Sequence, residues 1–208
     1  ISLGIWTTLL TYLISIPLGI AKAVRDGSRF DVWTSGVVIA GNAVPSFLFA
    51  ILLVVLFAGG RYLDWFPLRG LVSENWRELS WPALIIDYLW HMALPVTAMV
   101  IGGFASLTIL TKNSFLEEIH KQYVVTARAK GLHPRKVLTK YPLRMALNFF
   151  ISDIGSILPA MISGAEVTAI VLSLETTGPM LIRALQSQDM YLAGSFLMFL
   201  AFLTVVGV

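Results

Sequence analysis

Two carboxylic acids, Asp153 and Glu166, stand inside an apolar run over about residues 149–174, where a charged group demands a reason. A charge at the centre of a bilayer costs roughly 2.5 to 3.5 kcal/mol on insertion scales, so Glu166 has to face protein or a water-filled path, or carry a proton. Asp153 lies nearer the edge of the run, where Arg144 or Lys140 could pair with it. Either acid suits contact with a polar cargo crossing the membrane, and either suits a hydrogen bond between helices. Other chemistries lack their parts. His91, His120 and His133 are scattered, with no second ligand three or four residues away, so no metal site is expected. No Gly-x-Ser-x-Gly turn offers a nucleophile, and no Walker A loop offers a phosphate cradle. Cysteine is absent, which excludes thiol catalysis and disulfides.

The positive charge gathers in one place. Residues 112–144 hold eight of the 15 cations (Lys112, Lys121, Arg128, Lys130, Arg135, Lys136, Lys140, Arg144) against two acids, Glu117 and Glu118. Within this stretch, FLEEIHKQYVVTARAKG consists of good helix formers. Gly131 is placed to close that helix in the left-handed conformation, with Leu132 folding back onto it. His133-Pro134 reads as the cap and first residue of a second short helix. The expectation is a helix, a glycine corner and another helix, all facing water.

The elements that position these residues follow from composition. With 57% hydrophobic and 13% charged residues and a mean hydropathy of +0.79, the chain is far from soluble proteins, in which about a quarter of residues are charged. It reads as an integral membrane protein. Its net charge of +3 sits in loops beside apolar runs, not along an aromatic-laced stripe, so no nucleic-acid partner is expected. A helix needs roughly 20 apolar residues to cross a bilayer, and five runs qualify: about 3–21, 32–59, 89–111, 149–174 and from 190 to the end. Residues 22–31 and 112–147 then share one side with eleven Lys or Arg, against four in residues 60–88 and 175–189 opposite. The positive-inside rule makes the first side cytoplasmic. Both ends read as trimmed, and one further span before Ile1 would make six; no signal-peptide pattern opens the chain.

The outer segment over about 60–88 carries four of the six Trp residues (Trp65, Trp76, Trp81 and the nearby Trp90), which favour the membrane interface. Short surface helices are expected there. Asp64, Glu74, Glu78 and Asp87 would be available to a docking partner's cations, although a plain aromatic belt explains the tryptophans equally well. Small residues recur at Gly102, Gly103, Ala105 and Ser106 and again at Gly155, Ser156, Ser163, Gly164 and Ala165, where helix backbones are expected to approach closely.

The run Tyr123-Val124-Val125-Thr126-Ala127-Arg128-Ala129-Lys130-Gly131-Leu132 resembles the cytoplasmic coupling loop, of the EAA type, in permease subunits of bacterial ABC importers for dipeptides and oligopeptides. The resemblance covers nearly the whole chain. SIPLGI, GSRFDVW, FPLRGL, LTKNSFL and YVVTARAKG place it nearest the inner-membrane subunits that import oligopeptides and peptide-nucleotide antibiotics of the microcin C type. It implies an all-α, polytopic, type I importer permease: a single transmembrane domain over 1–208, with five of six helices visible, an outer loop at about 60–88 and a coupling loop at about 112–147. It also implies that Tyr123, Thr126, Ala127, Arg128, Ala129, Lys130, Gly131 and Leu132 engage the ATPase. Ala127, Ala129 and Gly131 would keep one side thin, with Arg128 and Lys130 carrying charge beside it.

The implied assembly has two ABC ATPase subunits holding ATP and Mg, a second homologous permease, an extracytoplasmic substrate-binding protein and a peptide cargo, all at the bacterial inner membrane. No cofactor is expected in this chain, which is a transporter subunit and not itself an enzyme. Glu166 and Asp153 are the candidates for the translocation path. The chain departs from the family pattern at Gln122, where an acid is common, at Val125, where a cation is common, at Ala169, where an acid is frequent, and at Glu175-Thr176, where Pro-Gly is frequent. A rival reading is a proton- or ion-coupled secondary transporter that uses Glu166.

Overall fold

A computed structural model describes residues 2–60, 62–152, 154–163, 166–174 and 176–207, with the backbone alone at 149, 154, 155, 158, 162, 163, 166, 167 and 207. Eleven α-helices and one turn of 3-10 helix make up the regular structure of the described residues, with no strand among them.

The axis of the molecule is α4 (Trp81–Ile119), a 39-residue helix. At 1.5 Å per residue it is about 58 Å long, roughly twice the hydrocarbon thickness, so it extends well beyond the apolar layer. Its first turn carries Pro82 where no intrahelical N–H is needed. α1 (Ser2–Val24) packs along it in the same direction, from Thr7 beside Met99 to Gly19 beside Thr111, and small or hydroxylated residues set the spacing. A Cβ on Gly19 would come within 2.6 Å of Thr111 Cβ, and one on Gly103 would meet Thr11 at 3.6 Å. Ser15 Oγ donates to the Phe104 carbonyl at 3.1 Å. Of the expected small-residue contacts on this helix, Gly102 faces Ser46, Gly103 faces Thr11, and Ala105 is fully buried. Ser106 instead points outward.

The second apolar run was expected as one span. It forms two helices, α2 (Arg29–Ala43) and α3 (Ser46–Phe57), bent by 91° at Val44-Pro45. Proline supplies no N–H and disfavours helical geometry in the residue before it, so the break falls where the sequence dictates. The pair still runs the length of the molecule: α2 begins beside Lys112 of α4 and α3 ends beside Trp90. α1 and α4 are single helices long and apolar enough to cross a membrane, and the α2–α3 pair qualifies as a broken span. The fourth run is divided among α7 (Pro142–Ser152), α8 (Ile154–Ser163) and α9 (Glu166–Val171), and the fifth is α11 (Met190–Gly207). Between them, α10 (Thr177–Gln186) is amphipathic and follows a Thr176 cap position.

Outward faces are as apolar as the core. Leu9, Leu13 and Ile14 of α1, Val32, Trp33 and Val37 of α2 and Met198, Phe202 and Val205 of α11 are all exposed, as suits helices bathed in lipid. Inside, Leu3, Leu53, Met92, Met99 and Leu172 close a cluster where α1, α3, α4 and α9 meet.

The segment between α3 and α4 forms fewer helices than expected: one 3-10 turn, Trp76–Glu78, and otherwise irregular backbone. Pro67 and a left-handed Gly70 interrupt it, and side chains hold it instead. The Phe66 ring stacks on Trp90 at 4.5 Å, and Trp90 Nε1 donates to the Trp65 carbonyl at 2.8 Å. Asp87 is not free for a partner's cations as expected. Its carboxylate accepts the Ser73 amide at 2.9 Å and the Ser73 hydroxyl, while His91 sits buried beside it with Nδ1 2.9 Å from its carbonyl. Asp64, Glu74 and Glu78 remain exposed. Trp6, Trp76, Trp81, Leu84, Ile85 and Tyr88 line an apolar groove of about 570 Å³ at this aromatic end.

Candidate functional site

The basic segment folds into an elbow. After α4 ends at Ile119, with His120 at its C-cap, come α5 (Gln122–Ala129) and α6 (Pro134–Lys140). Between them the chain makes a Schellman turn: Leu132 N–H reaches the Ala127 carbonyl at 3.4 Å, Gly131 N–H reaches that of Arg128 at 2.9 Å, and Gly131 has φ +74. The turn uses the left-handed region that glycine enters freely. His133 caps α6, its Nδ1 accepting from the Arg135 amide at 3.3 Å, with Pro134 in the first helical position.

The elbow has its own small core of Val124, Ala127 and Val137, against which Tyr123, Leu132 and Tyr141 pack. This sorts the eight sequence-selected residues. Thr126, Arg128, Ala129, Lys130 and Gly131 are exposed, and Leu132 and Tyr123 are half-buried. Ala127 departs from expectation: it points into the elbow and not along a thin outer side with Ala129 and Gly131. In a continuous helix residues 127 and 131 would share a face, but α5 stops at Ala129 and the glycine turn swings Gly131 outward.

Glu118 fastens the elbow to α4. It accepts from Lys121 Nζ at 2.5 Å and from the Tyr123 hydroxyl. Burial alone would raise the Glu118 pKa, but the bonds from Lys121 and Tyr123 outweigh it and hold the carboxyl below its usual value. Burial and the neighbouring Glu118 push the Tyr123 phenol up to about 12. Arg128, Asp26 and His120 line a cleft of about 330 Å³ between the elbow and the ends of α1 and α4.

A second cluster adjoins it that sequence reading missed, because Lys22 and Lys112 were counted only as loop charges. Lys22 is 1% exposed. Its ammonium donates to the Asp31 carbonyl (2.9 Å), Thr34 Oγ1 (2.8 Å) and Ser35 Oγ (2.8 Å), and lies 2.9 Å from Asp31 Oδ1. The other oxygen of Asp31 accepts from Lys112 Nζ at 2.7 Å and from the Gly27 amide at 3.2 Å. Lys112 also reaches Asp26 at 2.8 Å. Burial would raise Asp31, yet the bonds from Lys112, Lys22 and Gly27 prevail and hold it well below the carboxylate range. The signal available in the sequence was Asp31 three residues after Ser28, an N-cap pattern that fixes the carboxylate at the start of α2; Ser28 Oγ accepts the Asp31 amide at 3.3 Å.

Midway along the molecule, Ser46 at the start of α3 and Thr168 of α9 share a hydrogen bond of 3.2 Å, beneath the α2–α3 break. Glu166 is the first residue of α9, two positions before Thr168. Its backbone therefore adjoins this polar seam. Asp153 lies outside the described residues. Among the described residues no cluster of His, Cys, Asp or Glu could hold a metal ion.

Helices with apolar outward faces and a basic elbow between apolar spans are the build of a multi-pass membrane protein. The model of the family described as binding-protein-dependent transport system inner membrane component matches residues 15–208, and the chain belongs to that family. It is a multi-pass protein of the inner membrane. It is 57% identical over 178 residues to the peptidoglycan transport system permease protein YejB of Agrobacterium fabrum, covering 85% of this chain and 49% of that one. To the inner membrane ABC transporter permease protein YejB of Escherichia coli O157:H7 it is 55% identical over 190 residues, covering 91% and 52%. The oligopeptide transport system permease protein AppB of Bacillus subtilis is more distant, 30% identical over 201 residues, with 97% and 61% covered. The chain spans about half the length of the first two relatives.

Proposed function

We propose that this chain is a membrane-spanning subunit of an ATP-driven importer of peptide-containing cargo, and that the elbow over residues 123–147 couples it to separate ATPase subunits. The observation that carries the reading is the construction of the elbow. A rim of Arg128, Ala129, Lys130 and Gly131 is exposed for contact, while Tyr123 and Lys121 lock the same unit to Glu118 at the end of α4. A push on the rim is therefore delivered to the longest helix. The excess of cations on the elbow's side argues that it faces the cytoplasm, where ATP is. Its partners in this reading are two ATPases carrying ATP and Mg, a second permease that completes the passage, and an extracytoplasmic binding protein. The names of the relatives, a peptidoglycan and an oligopeptide transport system permease, support oligopeptides or peptidoglycan as the source of the cargo. Glu166, next to the mid-molecule seam, and Asp153 are assigned to the translocation path.

The test is Gly131→Asp and Arg128→Glu in the assembled transporter. Uptake and co-purification of the ATPases should both be lost while membrane insertion is retained. Unimpaired uptake by both variants would refute the coupling role.

A further inference from the structure

The elbow is fixed to α4, but a transport cycle has to move more than one helix. The cluster around Asp31 shows how the displacement can spread. Two turns of α4 separate Glu118, which holds the elbow, from Lys112. Within those turns Phe115 is 1% exposed and packs against Ala23 of α1 and Ala146 of α7. Lys112 then binds Asp26 in the α1–α2 turn and Asp31 at the start of α2, and Asp31 is held in turn by Lys22 in the last turn of α1.

We propose that Asp31 is a positioning residue that carries movement of the elbow from α4 into α1 and α2. This rests on the coupling reading above and adds the route inward. The choice of side chains suits the task. Apolar contacts tolerate sliding, whereas Asp31 accepts from Lys112 and Gly27 on one oxygen and faces Lys22 on the other, an arrangement satisfied in one register only. Buried ion pairs are poor sources of stability but can impose a unique geometry. Asp31 thus makes the end of α1, the α1–α2 turn, the start of α2 and the end of α4 one body.

The experiment uses the complete transporter, reconstituted with both permeases, the ATPases and the binding protein, and measures peptide taken up per ATP hydrolysed. Asp31→Asn should keep the ATPases bound and hydrolysing while uptake per ATP falls at least tenfold, and Asp31→Glu should recover part of it. A brace that only supported the fold would lower the amount of complex and leave that ratio alone, so an unchanged ratio overturns the proposal. Should Asp31→Asn fail to assemble, spin labels placed on the otherwise wild-type chain decide the matter. The chain has no cysteines of its own, so Val24→Cys and Thr139→Cys, at two exposed positions, give a single label pair. Their separation should stay constant between nucleotide-free and ATP-bound states, while each moves relative to the second permease. A change between them as large as those movements overturns the relay. Wild-type complex that shows no ATP-dependent uptake would instead overturn the coupling reading itself.

Discussion

The two ends of α4 are held by different forces. At the elbow end, two lysines and two aspartates tie four segments together through short ion pairs, with Lys22 and Asp31 buried and Asp26 exposed. At the aromatic end, the loop before α4 is held by ring contacts among Phe57, Trp65, Phe66 and Trp90, with one half-buried carboxylate, Asp87. Ring stacking tolerates small shifts and draws much of its strength from area removed from water. Ion pairs out of water are strong only in a narrow geometry, and a member left alone is costly. The elbow end is therefore built to move as a unit, and the aromatic end to cover and adapt.

The largest effect should come from the ion cluster. Asp31→Ala leaves Lys22 buried without its counter-ion, and should cost about 3–5 kcal/mol in chemical unfolding of the detergent-solubilised protein. A cost no larger than that of an exposed pair would erase the distinction between the ends. Asp87→Ala, the matching change at the aromatic end, strands the Ser73 amide and hydroxyl and should cost about 1–3 kcal/mol in the same assay. Trp90→Phe keeps a ring to stack on Phe66 but removes the donor to the Trp65 carbonyl. About 0.5–1.5 kcal/mol is expected, less if water replaces the bond at this exposed site.

Acid titration sharpens the comparison without mutation. Asp31 and Asp87 both have folded pKa values below the ordinary 3.8; burial opposes this in each, and hydrogen bonds, from Lys112 and Lys22 in one and Ser73 in the other, prevail. A depressed carboxylate contributes stability that is whole above its unfolded pKa and is lost as the pH falls through the folded one. Each accepts one backbone amide, Gly27 at Asp31 and Ser73 at Asp87. Followed by NMR, the Ser73 amide should shift at a higher pH than the Gly27 amide, because the more strongly depressed carboxylate protonates last. The reverse order would contradict the assignment of the stronger electrostatics to the elbow end.

Much of the molecule was legible in the residues themselves. Apolar run length identified α1, α4 and the broken α2–α3 pair as membrane segments, because a bilayer imposes a fixed span on any helix. Gly131 and His133-Pro134 announced the elbow, because capping and left-handed turns depend on local chemistry. Tertiary structure decided the rest. It turned Ala127 inward and brought Ser46 beside Thr168, 122 residues apart in the chain. It also made Lys22 and Lys112 partners of one aspartate, where a count of charges saw only a basic loop. Local preference acts over a few neighbouring residues, whereas an ion pair across 81 positions exists only once the helices carrying its members have packed.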